Sequence, residues 1–241
     1  MLVAGSHGGI IAGYYGASAG VLALILNDAG IGKDAAGIAA LPYLAGIGMA
    51  AATVSHLSAR IGDGADMLAR GVISHVNAVA AALGAARGMR CDDAAHRLRL
   101  APAPHASPPQ YAEGRYRLAD GVWGLDSVGM LAAGDAGTIL VIGSHGALHG
   151  GRPESALGVA ARAAIFNDAG VGADGVGITR LPVLDARAIP AATVDCMSAR
   201  IGDARSMWES GVVSHVNAHA SRFGVRVGQT VREFAAQVAA A

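Results

Sequence analysis

The sequence predicts an α/β protein built from two copies of one unit, each a three-layer, Rossmann-like βαβαβα arrangement with parallel strands. Three observations carry this expectation. The 241 residues are 53% hydrophobic, 15% charged and only 4% aromatic, with 35 glycines, which suits sheets closely covered by helices and excludes general disorder. Short apolar runs closed by Gly, Asn or Asp alternate with helix-length segments, a pattern that calls for parallel strands joined by crossovers. Residues 27–77 and 167–217 align without a gap and share 28 of 51 residues, including "NDAG", "AATV", "SARIGD" and "SHVN". A duplication of that length is a domain-scale event, because solenoid periods are shorter.

The elements follow in order along the second copy. "TILVIG" (138–143) is a buried first strand by length and by its closing glycine. Residues 153–162 have helical composition, with Pro153 at an acceptable first-turn position. "AAIF" (163–166) is the second strand, stopped by Asn167, Asp168 and Gly170. Asp174 to Arg187 suits a helix with Asp174 near its N-cap and Pro182 as a potential kink. "IPAATV" (189–194) is the third strand, and Asp203 opens an expected amphipathic helix reaching about residue 222. The expected boundaries are 1–86 for the first repeat, 87–115 for a Pro-rich linker around "APAPHASPPQ", and 116–241 for the second repeat. "YRLADGVWGLDSV" (116–128) adds a strand or hairpin to the second repeat that has no counterpart in the first.

Charge excludes one class of partner. Eighteen Lys and Arg balance eighteen Asp and Glu, with no basic cluster interleaved with aromatics, so no nucleic acid is expected. Residues 9–26 and 35–54 are uncharged and approach the length of a membrane span. At matching positions the second repeat carries Arg152, Glu154, Arg162, Arg180, Asp185 and Arg187, so no membrane embedding is expected. The uncharged helices instead predict a homo-oligomer joined through the first repeat. Cys91 and Cys196 stand in unlike contexts, which argues against a disulfide framework and fits a cytoplasmic protein without a signal peptide.

In parallel α/β sheets the carboxyl ends of the strands share one edge, where ligands bind. The recurrent polar motifs all follow strands, so they are expected to collect there. His145, Asp168, Cys196 and Asp203 are the expected catalytic groups; imidazole and carboxylate suit proton transfer, and a thiol could act as nucleophile. Substrate contacts are expected from Ser144, Gly146, Asn167, Ser198 and Arg200, and from Ser6, His7, Asn27, Asp28 and Arg60 of the first repeat. An Arg in this position either clamps a substrate anion or pairs with the Asp three residues later. Asn, Asp and Ser at strand ends also serve as ordinary turn and cap residues. His75 and His215 of "SHVN" are expected well along the third helix, away from the site. "GSHGG" (5–9) is similar to the "GHGG" stretch of creatininase-type amidohydrolases, but the rest of that metal pattern is missing and no family is assigned.

The expected function is therefore metal-free His/Asp acid–base hydrolysis of a small anionic amide or ester, with no cofactor. Two alternatives remain open. One is a metal-dependent hydrolase or lyase holding zinc or manganese through His145, Asp168 and Asp203, or through His7, Asp28, His56 and Asp63. The other is a two-lobed protein that binds a small ligand without turnover. Ser55-His56 in the first copy stands against Asp195-Cys196 in the second, a divergence that favours specialisation of one site.

Overall fold

The apolar runs become the central strands, buried along their whole length. The computed structural model describes residues 1–240, which divide into two α/β units. The first comprises Met1–Ile31, Ala35–Ala112 and Gly172–Asp174; the second comprises Gly32–Asp34, Glu113–Val171 and the described residues from Gly175 onward.

In the first unit the elements run β1 (Leu2–His7), α1 (Ile10–Ser18), β2 (Ala23–Asn27), α2 (Ala40–Ala45), β3 (Ala50–Val54), α3 (Gly64–Arg70), β4 (Ile73–Val76), α4 (Ala78–Ala82) and α5 (Cys91–Leu98). The sheet order is β1-β2-β3-β4; the first three strands are parallel and β4 is antiparallel to β3. Alternation along β2 sends Leu24 and Leu26 into one core with Leu41 and Leu44, while Ala23 and Ile25 join Met67, Ile73 and Leu98 in the other. Two cores around one sheet make three layers, and each fully buried Leu or Ile contributes about 1.5–3 kcal/mol.

The second unit has β5 (Arg115–Ala119), β6 (Val122–Leu125), β7 (Ile139–His145), β8 (Ala163–Asn167), α6 (Arg180–Ala186), β9 (Ala191–Val194), α7 (Ala204–Ser210), β10 (Val213–Val216), α8 (Ala218–Arg222) and α9 (Val231–Ala239). Its six strands lie in the order β10-β9-β8-β7-β6-β5. Strands β6 to β9 are parallel, and the antiparallel β5 and β10 form the edges. The expected hairpin at 116–128 is β5–β6. No helix is long and apolar enough to cross a membrane.

Several expected elements differ. The helix from Asp203 to about 222 is instead α7, β10 and α8, because extended Gly211 ends α7 and the β-branched pair Val212-Val213 follows it. His75 and His215 therefore lie on strands. Residues 153–162 form only a 3-10 turn at Pro153–Ser155, whereas the first repeat builds α1 there. Asp174 does not cap a helix: it has φ +56° within a 3-10 turn, Ala173–Ile178, that precedes α6. Pro182 falls in the first turn of α6, where its missing N–H removes no helical bond. Within the expected linker, Cys91–Leu98 is helical and packs Cys91, Ala94 and Leu98 into the first unit's core.

Candidate functional site: an Asp–His pair at the carboxyl edge of the first sheet

Strand β2 ends at Asn27 and β3 at Val54, so parallel pairing brings Asp28 beside Ser55 and His56. The Asp28 backbone donates to Val54 O at 2.9 Å and fixes the approach. Asp28 Oδ1 then accepts three hydrogen bonds: from Gly30 N (3.2 Å), His56 N (2.9 Å) and His56 Nδ1 (2.8 Å). Asp28 is 4% exposed and His56 19%. Burial alone would raise the Asp28 pKa, but the His56 ring and backbone and the Ser74 hydroxyl outweigh it and hold the carboxyl below its ordinary value. An ionised Asp28 can only accept, so His56 Nδ1 carries the shared proton, and the neutral form of the ring has its lone pair on Nε2. Among the described residues no group hydrogen-bonds to Nε2.

The loop after β2 is strained around this pair. Ala29, Ile31, Asp34 and Ala35 have φ of 48°, 65°, 54° and 55°. A left-handed β-branched residue such as Ile31 costs about 1–2 kcal/mol. Local bonds enforce it: Asn27 Oδ1 accepts from Ala29 N at 2.9 Å, and Ile31 N donates to Asp28 O at 2.7 Å. Strain of this kind concentrates at functional sites.

The second unit repeats the scaffold with different chemistry. Asp168 Oδ1 accepts from Gly170 N (2.9 Å) and Cys196 N (3.0 Å), so a thiol takes the place of the imidazole. Burial, then the negative Asp168 and Asp195, push the Cys196 thiol up to about 12. It is thus neutral at physiological pH and a poor nucleophile. Asp168, Asp195 and Cys196 place ligand atoms within 4.8 Å of one another, and they are the one such group of three among the described residues. The His145–Asp168–Asp203 and His7–Asp28–His56–Asp63 sets do not form such groups.

The remaining expected residues divide by role. His7 and His145 are buried and use Nδ1 to accept from Gly9 N (3.1 Å) and Ala147 N (3.3 Å). Burial lowers the His7 pKa to about 4, so it is neutral. The repeated glycine after each histidine has a packing cause: a Cβ on Gly8 would lie 2.3 Å from Gly37 O, and one on Gly146 the same distance from Gly177 O. Asn27 and Asn167 are fully buried and spend both ends of the amide on backbone groups. Ser144 Oγ accepts from Val128 N, and Ser198 Oγ bridges Asp195 O and Val212 N; Ser6 is exposed. Asp63 and Asp203 are N-caps of α3 and α7.

Both candidate anion clamps are already neutralised. Arg60 meets Asp174 at 2.8 Å, and Arg200 meets Asp203 and Asp34, each at 2.9 Å. Ser74 is a contributor that the helical assignment of "SHVN" hid: on β4 its hydroxyl lies 3.0 Å from Thr53 Oγ1 and supports Asp28. His56, named in the sequence as a metal-ligand alternative, could have been paired with Asp28 from its place two residues past a strand that pairs with the "NDAG" strand. No protein-family model, curated protein or solved structure matches the chain.

Proposed function

We propose that the protein is a small-molecule enzyme, a hydrolase of small amides or esters, whose acid–base centre is the Asp28–His56 pair. The observation that carries this is the single buried carboxylate oxygen that orients the imidazole through Nδ1 and leaves Nε2 open. His56 Nε2 takes a proton from a water as that water's oxygen bonds to the substrate carbonyl carbon. The imidazolium, held by ionised Asp28, returns the proton to the leaving nitrogen or oxygen as its bond to carbon breaks. Such assistance contributes about 10²–10⁴-fold. Turnover of a panel of small amides and esters tests the assignment, with activity lost in His56→Ala. Binding without turnover would favour the ligand-binding alternative.

The metal-dependent alternative draws support from one group, Asp168, Asp195 and Cys196. Metal bound one per chain in the purified protein would give it precedence, because an ion displaces a thiol proton even from a raised pKa. The proposed homo-oligomer draws support from exposed apolar side chains. Met1, Leu2, Tyr15, Leu22, Ile31, Leu57, Leu68, Val72, Leu100 and Tyr111 belong to the first unit, against Met197, Phe223 and Val227 in the second. Light scattering should give a mass above 23.9 kDa, and a monomer would remove that proposal.

A further inference from the structure

Arg180 is a buried cation without an acid. It is 0% exposed and forms no ion pair with any carboxylate among the described residues. Its Nε donates to Ala147 O at 3.1 Å, and its Nη1 donates to Ser155 O at 2.5 Å and to Ala156 O. The guanidinium carbon lies 5.0 Å from the centre of the Phe166 ring. Arg187 anchors the same segment through Leu157 O (2.7 Å) and Val159 O (3.0 Å). These bonds satisfy donors but supply no negative charge, and an uncompensated buried charge is costly. The first repeat has Ala40 at the matching position, so the charge is particular to the second.

One part of the fork remains underused. Nη2 meets only His149 Nε2, at 3.4 Å, a long contact in which the imidazole must be neutral to accept. His149 is exposed, packs edge-on against His145 with ring centres 5.6 Å apart, and lies beside Arg152. Burial, Arg180 and Arg152 together lower its pKa, consistent with a local excess of positive charge. Glu154 is the acid of this segment, and it reaches Arg152 only at 4.0 Å.

We propose that His149 and Arg180 Nη2 form the seat of a small oxyanion, a carboxylate or a phosphate, entering from the exposed His149 side. Placed between them, the oxyanion accepts from Nη2 and from Nε2 of a protonated His149, replacing a poor contact with two charge-assisted ones. It also supplies the counter-charge that the buried guanidinium lacks. This site is independent of the Asp28–His56 assignment.

The test is a titration with inorganic phosphate at constant ionic strength, following the Arg180 Nε–Hε and His149 ring resonances by NMR, with acetate as a second arm and chloride as control. Saturable shifts with phosphate or acetate in the low millimolar range are expected, weakened at least tenfold in His149→Ala. That variant removes an exposed ring and leaves the Arg180 carbonyl bonds in place. Shifts that do not saturate, that chloride reproduces, or that persist unchanged in His149→Ala would overturn the proposal.

Discussion

Asp28→Asn is expected to lower turnover by about 10²–10⁴-fold, the full contribution of an oriented acid–base group. The substitution is nearly isosteric, and the amide oxygen can still accept from Gly30 N and His56 N. What it removes is charge. A neutral amide does not supply the negative charge that stabilises the imidazolium formed when Nε2 takes a proton. Steady-state kinetics should show kcat falling with little change in KM, and thermal melting should show the fold retained. A loss of less than about threefold, well below general-base magnitudes, would mean that Asp28 serves only the turn.

Arg180→Ala carries the largest expected effect on stability. Three carbonyls, those of Ala147, Ser155 and Ala156, lose their donor, and the space against Phe166 empties. Each unsatisfied buried group costs about 1–3 kcal/mol, and the cavity adds to that. After partial relaxation and water entry, a loss of about 3–5 kcal/mol is expected in denaturant unfolding. The two repeats explain the dependence. Where α1 satisfies its own carbonyls the matching residue is Ala40, and where the helix is absent an arginine reaches in to bind them. A loss below about 1 kcal/mol, the net worth of one ordinary hydrogen bond, would contradict that role.

The alternating layers were legible because strand burial leaves a direct imprint on sequence. "TILVIG" and "AAIF" could be placed from length and flanking turn residues alone, and the polar residues after them do lie at the carboxyl ends of β7 and β8. Helix periodicity was less reliable near glycine. Gly211 separates a seven-residue helix from a strand, but "SMWESGVVSHV" reads plausibly as a continuous amphipathic helix, so Ser74 and His75 with their counterparts were misplaced. In the segment after β7, where no α-helix forms, Arg180 and Arg187 donate to carbonyls at a distance in sequence that no local pattern registers. The site was half legible. Asp28 and Asp168 were found, but the choice between the copies turned on which side chain stands two residues past β3 and β9. No local pattern reveals that His56 reaches its carboxylate, or that burial and two neighbouring carboxylates push the Cys196 thiol up.

Placing the chemistry in the first unit's Asp28–His56 pair is tested most directly by one comparison of turnover, on the substrate that the panel identifies, among wild type, His56→Ala and Cys196→Ser. The expected result is loss of activity in His56→Ala, near-normal turnover in Cys196→Ser, and an unchanged fold in both by circular dichroism. Turnover that survives in His56→Ala and disappears in Cys196→Ser would move the reaction to the second unit and contradict the assignment.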